Sequence, residues 1–394
     1  MVPKLRFHFE KSVFEKTSLQ KITDGIGDGI HATPTYQVNG DYFFINGNNL
    51  SNGRIILTEN TKKISSEEKE KYRDNLNERS LLLSINGTIG NIAYYNNEPV
   101  LLGKSAAYIN VSALYCKEWI YFILQSNNVL RYFEQELTGT TIKNLSLRTI
   151  RDTVIYAPNL EEQTQIANFL SAVDEKITLL NKQYDLLCQY KKGIMQKIFS
   201  QELRFKDENG EEFPVWEQKL ISEIAVVNPK SKNLPLEFIY IDLESVEKGR
   251  LLKEQLIYKD DAPSRAQRLL QSGDVLFQLV RPYQNNNYLF LRSGNYVAST
   301  GYAQLRAKYN SEFLYQLLHL ENFTSEVMNR CTGTSYPAIN SSDFASIEVE
   351  IPCESEQTKI ANFLSAIDDK ITAKKTELDK LKIWKQGLLQ QMFV

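Results

Sequence analysis

A nearly exact internal repeat constrains this sequence more than any other feature. Residues 162–178 read EQTQIANFLSAVDEKIT and residues 356–372 read EQTKIANFLSAIDDKIT, at a constant offset of 194. The same offset pairs Thr138-Gly139-Thr140 with Thr332-Gly333-Thr334. A long self-similar segment indicates a duplicated structural unit. We therefore predict two copies of one unit, each a diverged domain followed by a nearly identical segment.

Each nearly identical segment has the apolar spacing of one long helix. Apolar residues recur in steps of three and four, which is the a/d seam of a coiled coil. The seam residues are Ile166, Leu170, Val173 and Ile177 in the first copy and Ile360, Leu364, Ile367 and Ile371 in the second. Two such helices should pair, most simply as an antiparallel coiled coil that relates the two diverged domains by a pseudo-twofold axis.

Lysine occupies the same seam position in both helices, at Lys191 and Lys385. One interpretation is a lysine near a helix end whose ammonium group reaches solvent while its stem covers apolar surface. The other is a position that sets register or contacts a partner. The sequence leaves both open.

The diverged domains have a mixed α/β pattern. Strand-like runs include Tyr42–Ile45, Leu81–Ile85, Ala106–Val111, Phe238–Ile241, Val275–Val280 and Tyr288–Leu291. A helical stretch follows in each domain, near Glu118–Leu137 and Glu312–Asn329. We predict a mixed α+β chain with domains at 1–157 and 201–351 and long spacer helices at 158–200 and 352–394.

Composition excludes several classes of protein. The four cysteines form no CxxC pair and there are only three histidines, so no structural zinc site is expected. The sequence contains no run of about 18 apolar residues, so we expect no membrane-spanning helix. Reduced thiols fit a cytoplasmic protein. The net charge of −2 does not by itself indicate nucleic-acid binding, which needs a local basic face.

The catalytic motifs that we sought are incomplete. Gly103-Lys104-Ser105 ends like a phosphate-binding loop, but Glu98 stands where the first glycine belongs. Asn228-Pro229-Lys230 lacks the second proline and the aromatic residue of an amino-methyltransferase. Asp242 and Glu244 should share a strand face, but a solvated face explains them better than a nuclease site. We predict a chain without a catalytic site or a bound metal.

Side chains suited to reading bases remain. Arginine reads guanine, and asparagine or glutamine reads adenine, through paired hydrogen bonds. Clusters of Asn and Gly more often form plain turns, but here such loops recur in both copies. The candidate DNA contacts are Asn46, Asn48, Asn49, Asn86, Thr140 and Lys143 in the first domain and Gln278, Arg281, Tyr283, Gln284, Asn286, Thr334 and Tyr336 in the second.

The layout resembles the specificity subunits of type I restriction-modification enzymes over essentially the whole chain. The resemblance rests on the EQxxIAxFLSAxDxKI pattern that opens each long helix after Pro158 or Pro352, on the two TGT loops, and on the segment 216–225. The first domain departs from the usual entry, because Phe14-Glu15 stands where the second domain has Trp216-Glu217.

The resemblance implies two target-recognition domains, each reading half of a bipartite double-stranded DNA target, with helices that set the spacing. It also implies docking of two modification subunits, which carry S-adenosylmethionine and methylate adenine, and of restriction subunits that use ATP and Mg²⁺. No cofactor is expected on this chain.

Three alternatives remain open. The chain could serve a methyltransferase alone or another phage-defence assembly. It could be a coiled-coil scaffold whose globular ends bind proteins. It could also be an enzyme whose site the motifs do not reveal.

Overall fold

The computed structural model describes residues 3–7, 13–73, 75–139, 143–231 and 233–393. The chain folds into two compact units. One comprises Met1–Asn181 with Thr376–Val394, and the other comprises Lys182–Lys375. Among the described residues, none of the helices combines the length and the apolar composition that a bilayer span requires.

The first unit is built from short strands and short helices before the first long helix. Its strands are β1 Glu15–Ser18, β2 Thr23–Asp28, β3 Tyr42–Ile45, β4 Leu50–Ser51, β5 Arg54–Ile55, β6 Lys63–Ile64, β7 Ser80–Ser84, β8 Ile92–Tyr94, β9 Val100–Leu102, β10 Ala106–Val111 and β11 Val154–Ala157. Its helices are α1 Ser66–Glu70, α2 Lys117–Ile123, α3 Asn127–Gln135, α4 Leu147–Asp152 and the start of α5 Leu160–Phe199, with 3-10 turns at Leu19–Ile22 and Gly47–Asn49.

The second unit follows the same plan. Its strands are β12 Glu217–Leu220, β13 Ala225–Val227, β14 Glu237–Ile241, β15 Val246–Glu247, β16 Arg250–Leu251, β17 Gln255–Tyr258, β18 Ala266–Leu269, β19 Asp274–Gln278, β20 Tyr288–Phe290, β21 Tyr296–Ser299, β22 Tyr302–Ala307 and β23 Glu348–Ile351. Its helices are α6 Ile221–Ile224, α7 Ser311–Leu317, α8 Glu321–Asn329, α9 Ser341–Ala345 and most of α10 Glu354–Met392, with 3-10 turns at Lys259–Asp261 and Pro282–Gln284.

The sheets of the two units correspond strand by strand. The order β2-β10-β7-β8 in the first unit matches β13-β22-β19-β20 in the second, and the small sheets β1-β11 and β12-β23 also match. Another sheet in each unit contains a parallel pair, β3 with β9 at one edge of the order β6-β3-β9 and β14 with β21 at the centre of the order β17-β14-β21-β18. Strand β18 extends that sheet in the second unit. The predicted mixed α+β content is confirmed.

The strands were located closely from their apolar runs, whereas the helical stretches were simplified. Each stretch is two helices, α2 with α3 and α7 with α8. The first helix of the first pair ends at Ile123, and Ser126 caps the next one, because its hydroxyl accepts a hydrogen bond from the Val129 N–H.

Each unit has one main apolar core that includes residues of the long helices. In the first unit Trp119, Phe122 and Phe133 pack with Leu170 of α5 and Met392 of α10. The core of the second unit joins large aromatic residues, among them Phe277, Phe313 and Phe344, to Ile198 of α5 and Leu364 of α10. In both units, therefore, the start of one long helix and the end of the other share a core with the globular domain.

Candidate nucleic-acid interface

Two polar loops of the second unit meet at Arg281. Short β-bridges join Val280 to Ala338 and Thr332 to Ala338, and the Arg281 N–H donates to the carbonyl of Pro337 at 2.7 Å. The Arg281 guanidinium lies 4.2 Å from the centroid of the Tyr336 ring, within the range of a cation–π contact. Tyr336 is 65% exposed, and Thr334 is exposed in the same loop.

Arg281 adopts the left-handed conformation, with φ 54° and ψ 54°. A residue with a β-carbon is strained there, so the surrounding hydrogen bonds must hold it. Functional side chains are often found in such backbone positions. Here the geometry directs an arginine out of a rigid loop that starts directly after β19.

The neighbouring amides have different environments. Gln278 is buried at 2% exposure, and its side-chain amide donates to the Val280 carbonyl at 2.8 Å and to Gln284 Oε1 at 2.9 Å. Gln284 and Tyr283 are exposed. Asn286 is half-buried, and its Oδ1 accepts the backbone N–H of Lys248 at 3.1 Å. Gln278 thus orients Gln284 from below, while the exposed Gln284 is accessible to a ligand.

The first unit has the equivalent loops. Bridges join Asn86 to Asn144 and Thr138 to Asn144, at positions that the offset of 194 relates to those of the second unit. Asn86 is half-buried and Lys143 is exposed. The predicted contact Thr140 lies outside the described residues.

Asn46, Asn48 and Asn49 form a turn at the same end of β7. The Asn46 side chain accepts the Ser105 hydroxyl at 2.8 Å, and Asn49 Oδ1 accepts the Asn46 N–H at 2.9 Å. A β-carbon at Gly47 would lie 2.2 Å from the Ser84 hydroxyl oxygen, so only glycine fits this close approach. Asn48 is the exposed member of the three.

A polar cleft beside Asn86 was missed at the level of sequence. Asp28, His31 and Lys104 line this space of about 280 Å³ together with Asn86 and Asn144. The His31 imidazole lies 2.8 Å from the Asp28 carboxylate. These residues come from four separate parts of the chain, and no local sequence pattern links them.

The repeated motif is largely explained by buried contacts at the helix starts. Glu162 and Glu356 are fully buried, and each accepts two hydrogen bonds from one arginine, Arg6 or Arg204. Hydrogen bonding to the carboxylate raises the pKa of each arginine above its ordinary value. Trp216 adds an indole N–H to Glu356 at 3.2 Å, whereas its counterpart Phe14 has no N–H.

The seam residues lie in the cores. Ile166, Leu170 and Val173 are buried in the first unit, and Ile360, Leu364 and Ile367 in the second. Ile177 and Ile371 are partly buried against the same cores.

The described residues contain no group of three or more His, Cys, Asp or Glu side chains arranged to hold a metal ion. The expectation that Asp242 and Glu244 share a strand face is wrong, because β14 ends at Ile241 and both residues lie in the turn that follows. The Asp242 carboxylate accepts the Glu244 N–H and the Ser245 hydroxyl there.

Comparison with known proteins places the chain in a family. The model of the type I restriction modification DNA specificity domain matches residues 27–189 and again residues 194–382. The chain belongs to this family, and the resemblance inferred from its repeated motifs is confirmed.

Similar proteins cover most of the chain. The specificity subunit of type I restriction enzyme MjaVIII from Methanocaldococcus jannaschii is 24% identical over 339 residues, which are 80% of this chain and 78% of that protein. A putative type I restriction enzyme MjaX specificity subunit from the same organism is 25% identical and covers 95% of this chain and 92% of its own length.

The fold is also shared with solved structures. The S subunit of a type I restriction-modification system from M. genitalium superposes with a TM-score of 0.64 at 18% identity, over 100% of this chain and 99% of that one. A structure described in terms of complex assembly and conformational transition of the type I R-M system gives a TM-score of 0.55 at 15% identity, with 96% of each chain covered.

Proposed function

We propose that this chain is the DNA sequence-specificity subunit of a type I restriction-modification complex and has no catalytic site of its own. Its two globular domains, predicted at 1–157 and 201–351, each read one half of a bipartite target. The observation that carries the proposal is a shared scaffold with different side chains at equivalent loop tips. In a family of DNA specificity domains, such divergence at fixed positions suits two different half-sites.

In the second domain Arg281 is the principal candidate for a base contact. An arginine held in a rigid loop can donate two hydrogen bonds to the O6 and N7 atoms of guanine. Tyr336 supports its guanidinium, and Gln284, oriented by Gln278, is positioned for an adjacent base. Tyr283, Asn286 and Thr334 are proposed as surrounding contacts.

In the first domain we propose a different contact set. Asn48, Asn86 and Lys143 reach the surface or the polar cleft, and Thr140 belongs to the same loop by sequence. Asn46 and Asn49 are engaged in their own turn, so a contact from them would use the remaining hydrogen-bonding capacity of their amides. Lysine suits a phosphate, and asparagine suits adenine.

The long helices are proposed to pair as an antiparallel coiled coil and to set the half-site spacing. Asp174 binds Lys385 and Lys191 binds Asp368. Asp174 and Lys191 are 17 residues apart on the first helix, and their partners are also 17 residues apart on the second. The partners occur in the opposite order, because Lys385, which binds Asp174, follows Asp368, which binds Lys191. That relation is typical of two antiparallel helices in a single register.

The partners follow from the family. Two modification subunits would dock on the helices and supply S-adenosylmethionine for adenine methylation. Restriction subunits would supply ATP- and Mg²⁺-dependent cleavage. Partner subunits would also provide part of the phosphate contacts, which explains how a chain with a net charge of −2 can serve a DNA-binding complex. Such a complex would act in the cytoplasm.

The test is single-molecule sequencing of adenine methylation in a methylation-free host that expresses this chain with its neighbouring methyltransferase gene. We expect a split motif that appears only when this chain is present. Exchange of residues 201–353 for the equivalent domain of a relative should change one half-site and leave the other intact. If both proteins are folded and associated but add no methylation, the proposal is wrong and a protein-binding scaffold becomes the better explanation.

A further inference from the structure

The lysine in the seam of the first long helix is held in a three-part contact within the second unit. Lys191 Nζ lies 2.7 Å from both carboxylate oxygens of Asp368 on α10. The lysine side chain is 18% exposed and the aspartate 35%. Gln316 of α7 donates its amide to Asp368 Oδ2 at 2.8 Å. The ion pair therefore joins both helices to the globular domain.

The first unit repeats this contact with the helices exchanged. Lys385 Nζ lies 2.6 Å from Asp174 Oδ1 and 2.8 Å from its Oδ2, with exposures of 15% and 30%. The domain again takes part, because Gln125 Oε1 lies 3.4 Å from Nζ and the Phe122 ring centroid lies 5.4 Å away. The globular domain of each unit thus contacts one member of its ion pair, Asp368 in the second unit and Lys385 in the first.

A lysine at a seam position favours one register over its alternatives. A mostly buried ammonium group loses hydration, and only a well-placed counter-charge compensates for that loss. A polar residue at a single seam position specifies register in coiled coils in this way.

The two registers one heptad away from the observed one leave both lysines without a carboxylate opposite them. A slip of one heptad in one direction would set Lys191 against Ala361 and Lys385 against Ala167. A slip in the other direction would set Lys191 against Lys375 and Lys385 against Asn181. Among these three registers, only the observed one places aspartate opposite both lysines.

We propose that the ion pairs Lys191–Asp368 and Lys385–Asp174, gripped by Gln316 and by Gln125 with Phe122, determine the number of unspecified base pairs between the two half-sites. They fix the helix register and, within each unit, the position of the recognition domain along the helices. The four charged residues are positioning residues for DNA specificity. This inference rests on the proposed function, because spacing has meaning only for a bipartite target.

The experiment measures the spacer length of the methylated motif for a charge-reversal series, in the whole chain with its methyltransferase partner. Asp368→Lys should lower methylation at the native spacer at least tenfold. It should also add sites whose spacer differs by about three base pairs, because a slip of one heptad moves a helix by about 10 Å. The reciprocal variant, Lys191→Asp with Asp368→Lys, restores the pair and should return methylation to within about twofold of the native chain. Asp368→Asn, which removes the charge without adding repulsion, should give the same spacer error more weakly.

A neighbouring ion pair provides the matched control. Lys192 pairs with Glu321, but both side chains are more than 60% exposed. Because exposed pairs contribute little, Lys192→Asp should leave motif, spacer and rate unchanged. Circular dichroism and co-purification with the methyltransferase establish that each variant is folded and assembled.

The outcomes separate the two proposals. A native chain that directs no split-motif methylation contradicts the proposed function and this inference with it. If the native chain methylates a split motif and folded, assembled Asp368→Lys keeps the native spacer and rate, the inference alone is wrong. Failure of the reciprocal variant to restore a folded protein's spacer would also overturn it.

Discussion

The two units have the same scaffold and differ where the scaffold ends. Strands β7 and β19 each contain five residues at an offset of 194, and each leads into a loop with a left-handed residue at the same position. That residue is Gly87 in the first unit, with φ 76°, and Arg281 in the second, with φ 54°. The scaffold therefore dictates the backbone conformation, while the side chain at the tip is free to vary.

The helix starts show the opposite behaviour. Both units keep a buried glutamate bound by an arginine, Arg6 to Glu162 and Arg204 to Glu356. A buried charge that loses its partner lowers stability strongly, so these arginine and glutamate positions tolerate less substitution than a loop tip does. Variation is tolerated beside it, as the replacement of Trp216 by Phe14 in the other unit illustrates. The comparison separates positions under a structural constraint from positions available for specificity.

The largest loss of stability should come from removing the arginine of the buried arginine–glutamate pair that both units share. Arg204→Ala leaves the fully buried Glu356 carboxylate without its bidentate partner, and should lower the free energy of unfolding by about 3–5 kcal/mol. Arg6→Ala should have an effect of the same order, because Glu162 is equally buried. Urea unfolding followed by circular dichroism measures both.

An exposed arginine provides the control for that series. Arg148 pairs with Asp152, with 90% and 54% of the side chains exposed, so Arg148→Ala should cost no more than about 1 kcal/mol. If the three variants unfold alike, the distinction between the constrained helix starts and the rest of the surface would be lost.

The next effect concerns a feature in which the units differ. Arg281→Gly gives the second unit the residue that the first has at this position, and glycine adopts a positive φ without strain. The fold should be retained. Discrimination at one base pair of one half-site should fall by about 1–3 kcal/mol, or about 5- to 150-fold. Sequencing of methylated sites measures this preference.

Arg265→Gly removes another exposed arginine from a turn of the same unit and serves as its control. It should leave base preference unchanged at every position. An unaltered motif for Arg281→Gly, in a folded and assembled protein, would remove Arg281 from the base contacts. A change in both half-sites would contradict the assignment of one half-site to each domain.

Local patterns in the sequence were sufficient for the scaffold but not for the tips. Alternating and helical periodicities located strands such as Tyr42–Ile45 and both long helices, because burial of apolar faces produces those periodicities. The repeat itself indicated which parts are equivalent. The break at Ser126 was missed, although it lies in the polar run Gln125-Ser126-Asn127-Asn128, because periodicity alone does not report where one helix ends and the next begins.

Features that depend on distant contacts were outside the reach of local patterns. Lys191 finds its carboxylate 177 residues away, and Arg281 meets Tyr336 only through long-range bridges. Gln278 was predicted to contact DNA because its amide suits adenine and it lies close to the end of a strand, but the sequence does not reveal that this side chain is buried. Burial of polar groups is decided by tertiary packing, which periodicity does not report.

The smallest expected effect is a difference between the two units in how their stability depends on pH. His319 of the second unit and Gln125 of the first are equivalent, and each side chain lies within hydrogen-bond distance of a carbonyl four residues earlier, Tyr315 at 2.7 Å or Tyr121 at 3.0 Å. The pKa of His319 is lowered from its ordinary value of 6.5 to about 4, mainly by burial and to a smaller extent by the nearby Lys191 ammonium. The Tyr315 carbonyl and the Asp368 carboxylate act in the opposite direction without cancelling the shift.

The unfolded chain binds a proton at His319 more readily than the folded chain does. The contribution of neutral His319 to the free energy of unfolding is therefore complete well above pH 6.5 and is lost as the pH falls towards 4. Between pH 7.5 and 6 the loss should be about 1 kcal/mol. His319→Gln should remove that part of the pH dependence, whereas Gln125→His should introduce it into the first unit. Urea unfolding of the three proteins at both pH values measures the difference. Equal pH dependence of the native chain and His319→Gln would mean that His319 is not held in the neutral form, and the two units would then not differ in this respect.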